Sequence, residues 1–228
     1  MTLHRFFVGR DDMAGDRFAV PASIERQVRS VLRLREGDRI VLFSGDGTET
    51  LCRLDGSDCV VEHRRQVDSE PSHRLTVVQA LLKGNALEEV VRQATEIGVA
   101  RFRLVVSDRC VARGLSERKL VRLRSIAREA AEQSERGIVP GVDAPIPLRD
   151  ALHDAVLLYE RAAPVRLSAV APPAAVIIGP EGGFTDAEAD AAIAAGVRLA
   201  GLGPRILRSQ SVAAAAAAVV LSRTGDFA

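Results

Sequence analysis

The chain has 228 residues, a formal net charge of +1 and 47% hydrophobic residues. That length supports one or two domains with a proper core, and the near-neutral balance excludes a chain that is basic throughout. Three cysteines, Cys52, Cys59 and Cys110, lack the number and spacing of a disulfide framework or a zinc site, and fit small core residues in a reducing cytoplasm.

The opening MTLHRFF has no signal-peptide apolar region. The apolar run at 212–221 is far shorter than the ~20 residues that span a bilayer, so a soluble protein with no membrane partner is expected. Apart from Lys83 and Lys119 every basic residue is arginine. The planar fork of arginine suits phosphate, although GC-rich coding produces the same bias.

Residues 1–70 read as short strands at 5–8, 17–20, 39–43, 48–54 and 59–65, with turn signals at Ser44-Gly45-Asp46-Gly47 and Asp55-Gly56-Ser57-Asp58. One helix, 22–34, interrupts them. So many short strands in so few residues predict a small β-barrel. On a continuous helix Arg26, Arg29 and Arg33 would share a face. The segment as a whole holds 11 arginines against 13 acidic residues, so its composition alone does not mark an RNA-binding domain.

The polar stretch 68–72 marks the boundary between a domain at 1–70 and one at 71–228. Beyond it strands and helices alternate: strand 75–81, helix 86–97, strand 103–106, helix 116–134 and strand 156–159. This order predicts a mainly parallel sheet covered on both faces, an α/β domain. Between 101 and 136 ten basic residues face five acidic ones, a plausible phosphate footprint or a solvated basic helix face.

Two apolar runs follow, 176–178 and 197–202, and each stops at Gly-Pro: Gly179-Pro180 and Gly203-Pro204. Such endings read as buried strands entering irregular loops. Thr185-Asp186-Ala187-Glu188 has capping-box spacing, and Ser209 or Ser211 is placed to cap a last, alanine-rich helix. Paired glycine-bearing loops after strands are where an open α/β sheet holds a ligand. Neither loop has the Gly-Lys-Ser/Thr of a phosphate loop or a G-x-G-x-x-G. A nucleotide-like ligand here would therefore be held mainly by backbone amides and apolar contacts rather than by phosphate chemistry.

The segments IGPEGGFT, LGPRILR, ATEIGV and EAAEQSERGIVP, with HRFF and VLRLREGD near the start, resemble the ribosomal RNA uridine N3-methyltransferase family. The likeness runs through nearly the whole chain in the right order. It implies a SPOUT-type domain with a trefoil-knotted, mainly parallel sheet, preceded by a PUA-like β-barrel that binds RNA. It also implies S-adenosylmethionine as cofactor, 16S rRNA as substrate, a homodimer and no metal. By resemblance the cofactor walls are Ile178, Gly179, Pro180, Glu181, Gly182 and Gly183 in one loop, and Leu202, Gly203, Ile206, Leu207 and Arg208 in the other. Arg208 would stabilise the uridine oxyanion. His4, Arg5, Arg26, Arg29, Arg33, Arg109 and Arg113 are the expected RNA contacts.

Two positions depart from the family pattern. Many relatives carry Arg-Thr-Glu-Thr where this chain has Arg208-Ser209-Gln210-Ser211, and often a histidine where this chain has Gln27. Neutral Gln210 cannot accept a proton, which leaves Glu181 or solvent as the base. A SPOUT enzyme acting on another RNA such as tRNA, or an inactive RNA-binding homologue, also fits the sequence.

Overall fold

The structure, a computed structural model, describes residues 3–160 and 164–226. Its contacts divide the chain into two compact units. The first comprises residues 1–70 and 131–139, the second residues 71–130 and 140–228.

The first unit contains β1 (His4–Phe7), β2 (Arg17–Ala19), α1 (Ala22–Arg26), β3 (Arg39–Phe43), β4 (Thr48–Asp55) and β5 (Asp58–Gln66). These strands form one mixed sheet in the order β1-β3-β4-β5-β2, with β1 and β2 at its edges. Only β1–β3 is parallel. Strands β4 and β5 meet through a tight turn in which Gly56 takes φ +60°, a conformation that glycine adopts without a Cβ penalty. Alternate residues of the strands, Phe6, Ile40, Leu42, Cys52 and Leu54, point into one apolar core with Ile24 and Val28.

The predicted helix 22–34 is not continuous. An α-helical turn, Ala22–Arg26, passes into a π-helical turn over Gln27–Val31, closed by the Leu32 amide on the Gln27 carbonyl at 2.9 Å. Arg33 then leaves the helix with φ +54°. The expected single face of Arg26, Arg29 and Arg33 therefore does not form, because the wider turn breaks the 3.6-residue period that would align them.

The motif EAAEQSERGIVP has a packing role within the first unit. Arg136 is 3% exposed and donates to Glu70 at 2.8 Å, while the Ile138 amide donates to the same carboxylate at 3.0 Å. At Gly137 an added Cβ would lie 2.6 Å from Cγ2 of Val67, so no larger residue fits there without movement.

The second unit contains β6 (Thr76–Ala80), α2 (Ala86–Ile97), β7 (Arg101–Val106), α3 (Glu117–Gln133, whose last three residues count with the first unit), β8 (Gly141–Val142) and β9 (Ile146–Pro147). It continues with β10 (Ala155–Leu158), β11 (Ala175–Ile178), α4 (Asp186–Ala194), β12 (Arg198–Ala200) and α5 (Ser209–Thr224). The sheet order is β12-β10-β11-β6-β7-β8, with β9 also on β7, and every ladder is parallel. Runs of consecutive buried residues, Val77–Ala80 and Val176–Ile178, show a sheet covered on both faces. The short strands β8 and β9 carry too few residues for a sequence signal.

Helix α5 buries Ala213, Ala216, Ala217, Val220 and Leu221, a stripe at i, i+3, i+4, i+7 and i+8, and packs on α2. Small side chains let the two helices approach closely. Helix α2 ends at Gly98 in the left-handed region (φ +111°), where a Cβ would sit 2.5 Å from Pro71. Among the described residues no helix is long and apolar enough to cross a membrane.

The chain enters this sheet at β6, near its middle, builds β7 to β9 on one side, and then returns to build β10, β11 and β12 on the other. That reversal puts the carboxyl ends of β10, β11 and β12 side by side, the place where open parallel sheets hold ligands.

Candidate active site

Strand β11 ends at Ile178, and the chain turns at once: the Gly183 amide donates to the Pro180 carbonyl at 2.9 Å, with Gly183 at φ +66°. Phe184 is buried beneath the turn, 3.2 Å from where a Cβ on Gly179 would stand. Thr185 then caps α4. Its hydroxyl accepts from the Glu188 amide at 3.1 Å, and the Glu188 carboxylate accepts from the Thr185 amide at 2.8 Å, the capping box that the spacing predicts. The same carboxylate also takes the Asp108 amide at 2.8 Å.

The second loop leaves β12 at Ala200. The Tyr159 amide donates to the Ala200 carbonyl (2.9 Å) and the Leu167 amide to the Gly201 carbonyl (2.8 Å), which holds this loop beside the end of β10. Gly203 has φ +116°, with nothing within 4 Å of where a Cβ would be. A side chain there is opposed by the backbone conformation rather than by lack of space. Arg208 stands at the N-cap of α5, exposed, and no side chain caps the helix.

Between these loops lies a cavity that opens to solvent. Of the predicted cofactor residues, Ile178, Gly179, Pro180, Glu181, Gly183, Leu202, Gly203, Ile206 and Leu207 line it; Gly182 and Arg208 do not. The cavity is also lined by Leu158, Tyr159, Glu160, Gly201, Arg205, Ser209 and Val212, which the sequence reading did not name. Tyr159 ends the predicted strand 156–159 and Glu160 directly follows it, the one signal that pointed to them; the observed strand stops at Leu158. The Tyr159 hydroxyl donates to Asp186 at 2.5 Å, which fixes the phenol against the start of α4.

The charges suit a nucleoside-like ligand better than a polyphosphate. The lining carries two carboxylates, Glu160 and Glu181, and one cation, Arg205. Apolar Ile178, Leu202, Ile206, Leu207 and Val212 offer surface for a base, and glycine backbone offers amides and carbonyls. One oxygen of Glu181 accepts from the Lys83 amide at 2.9 Å.

The seven expected RNA contacts fall into different environments. His4, Arg26 and Arg33 are exposed. Arg29 donates to the Gly56 carbonyl. Arg5 is buried: it pairs with Glu49, each side chain only 7% exposed, so it is spent on the interior of the first unit. Burial works to raise the Glu49 carboxyl, yet the hydrogen bonds from Arg65 (2.5 Å) and Arg5 outweigh it and leave the group below its ordinary value. Arg109 donates to the carbonyls of Gly182 (2.9 Å) and Phe184 (3.1 Å), and Arg113 to those of Ser107 (3.2 Å) and Asp108 (2.9 Å). Arg109 thereby holds the loop that follows β11, and Arg113 the segment that follows β7. Among the described residues no cluster of His, Cys, Asp or Glu is placed to hold a metal.

A family model described as an RNA methyltransferase domain matches residues 69–221, and one described as an RNA methyltransferase PUA domain matches residues 28–62. The chain belongs to the RNA methyltransferase family. Within it, the ribosomal RNA small subunit methyltransferase E of Synechocystis is 34% identical over 199 residues, covering 80% of this chain and 65% of that protein, just under two thirds of its length. The Bacillus subtilis protein of the same name is 29% identical over 218 residues and covers 85% of each chain. The crystal structure of a ribosomal RNA small subunit methyltransferase E from Neisseria gonorrhoeae, bound to S-adenosylmethionine, superposes with a TM-score of 0.88 at 29% identity, covering 97% of this chain and 98% of that one. The fold is thus the SPOUT-type parallel sheet with a PUA-like N-terminal sheet.

Proposed function

We propose that this chain is an S-adenosylmethionine-dependent methyltransferase that modifies N3 of a uridine in the 16S rRNA of the small ribosomal subunit. It works in the cytoplasm as a homodimer, with its two cofactor loops tied as a trefoil knot. The observation that carries the reading is the convergence of two glycine-bearing loops on one cavity at the carboxyl ends of β10, β11 and β12. The names of the Synechocystis and Bacillus relatives support the substrate, and the ligand of the Neisseria structure supports the cofactor.

S-adenosylmethionine supplies an electrophilic methyl group, whose bond to sulfur breaks with the electron pair left on sulfur. The glycine loops would hold it beside the acceptor nitrogen, and positioning of this kind accounts for ~7–11 kcal/mol of barrier lowering when geometry is near attack. N3 of a paired uridine is blocked, so the base is held out of its stack. Arg208 stabilises the negative charge that develops on the uridine as the imide proton leaves. Glu181 takes that proton through the carboxylate oxygen that the Lys83 amide leaves unused. His4, Arg26 and Arg33 contact the phosphate backbone.

The test is digestion and mass spectrometry of 16S rRNA from a strain lacking the gene. One N3-methyluridine should vanish there and return with the wild-type gene. An unchanged set of 16S modifications, or a loss in tRNA instead, contradicts the proposal.

A further inference from the structure

Glu160 is the strongest feature of the cavity that the roles above leave unused. It follows β10 (Ala155–Leu158) by two residues and lines the cavity between the two glycine loops. Among the described residues its carboxylate has no hydrogen-bond or ion-pair partner, whereas one oxygen of Glu181 is taken by the Lys83 amide. Its side chain is exposed and rests over the first loop: Oε1 of Glu160 lies 2.7 Å from where a Cβ on residue 183 would stand, and Gly183 has φ +66°.

We propose that Glu160 is a cofactor-binding residue whose carboxylate accepts both ribose hydroxyls of the adenosyl group. This rests on the cofactor reading given above. A carboxylate offers two oxygens that match the two donors of a cis-diol. In parallel α/β sheets an acidic residue carried by a neighbouring strand is a recurrent partner of ribose hydroxyls, with the ligand lying across the carboxyl ends of the strands. Strand β10 pairs with both β11 and β12, so Glu160 reaches the cavity from between the loops. The apolar lining by Leu202, Ile206 and Leu207 then remains for adenine. The other donors in the cofactor that a carboxylate could take are the α-ammonium of its methionine end and the 6-amino group of adenine, and the three assignments are separable.

The experiment is calorimetric titration of wild-type protein and Glu160→Gln with S-adenosylmethionine, S-adenosylhomocysteine and 5′-methylthioadenosine, with thermal unfolding of both proteins as the control for folding. Methylthioadenosine keeps the ribose and the adenine amino group but has neither ammonium nor sulfonium. Its 2′-deoxy analogue, titrated alongside, lacks one ribose hydroxyl. A Glu160→Gln penalty as large on it as on methylthioadenosine moves Glu160 to the adenine amino group and overturns the ribose assignment. Loss of two charge-assisted hydrogen bonds should weaken binding at least ~tenfold for all three ligands, with unfolding temperatures unchanged. A penalty seen with S-adenosylhomocysteine but absent with methylthioadenosine moves Glu160 to the ammonium and overturns the ribose assignment. Wild-type protein that holds S-adenosylhomocysteine but not methylthioadenosine overturns it too. Equal affinities in both proteins remove Glu160 from the site. Wild-type protein that binds none of the three overturns the cofactor reading itself, a different result from failure of Glu160 alone. If Glu160→Gln unfolds, Glu160→Ser serves instead, since it removes both carboxylate oxygens and should give the same uniform penalty.

Discussion

The guanidinium of Arg109 donates to the carbonyls of Gly182 at 2.9 Å and Phe184 at 3.1 Å, so an arginine that follows β7 is built into the loop that follows β11. Arg109→Ala leaves two loop carbonyls without their donor, each loss costing about 1–3 kcal/mol where the group stays buried. Cofactor affinity should fall about tenfold, while the salt dependence of RNA binding is unchanged. Titrations of each ligand at several salt concentrations check this. Normal cofactor affinity with a salt slope reduced by about 1 would make Arg109 a phosphate contact.

How much of this was legible in the sequence depends on how local each signal is. The two loops were legible because an apolar run ending at Gly-Pro is a local pattern, and the capping box of α4 likewise. The place of Arg109 was not. Its partners lie more than 70 positions away, at 73 and 75. An arginine in a basic stretch reads as a phosphate contact until its donors are seen to be taken. Arg5 fails for the same reason, with Glu49 as its partner 44 positions on. The arginine face failed because a π turn and the positive φ of Arg33 have no signature in a pattern of charges.

Glu49 gives a pH prediction for the first unit. Its carboxyl is held below the ordinary value of 4.5 in the fold, burial being outweighed by Arg65 and Arg5. A depressed carboxyl contributes stability that is fully present above the unfolded value and is lost as pH falls from there through the folded one. Unfolding of the first unit by denaturant should therefore become easier as pH drops below about 4.5. Glu49→Gln should flatten that acid limb and cost about 3 kcal/mol at pH 7, because Arg5 is left buried and unpaired. An acid limb identical in the two proteins would remove Glu49 as its source.

Helix α5 offers a test of the proposed homodimer that separates two of its alanines. Ala217 is fully buried in its own unit, whereas Ala214 is half-buried. Ala217→Leu should lower stability by about 1–3 kcal/mol through overpacking. Ala214→Leu should leave the unfolding temperature nearly unchanged and weaken self-association. Sedimentation beside thermal unfolding distinguishes the two. An Ala214→Leu protein that associates like the wild type takes that face of α5 out of the interface.

Arg208 is exposed at the N-cap of α5 and does not line the cavity. An interaction made mainly in the transition state affects turnover more than ground-state binding. Arg208→Ala should hold S-adenosylmethionine within about twofold of wild type yet lower single-turnover methylation by about a hundredfold or more. A parallel loss of both would make Arg208 a binding residue.

The central claim is that the two-loop cavity delivers a methyl group to N3 of one 16S uridine. Its most direct test is incubation of purified protein with isotopically labelled S-adenosylmethionine and small subunits from a strain lacking the gene, followed by nucleoside analysis. Label should appear in N3-methyluridine at a single position, and not at all with a Gly183→Ala, Gly203→Ala double variant whose loops are strained. Cofactor binding without transfer, or label in a ribose or another base, would contradict it.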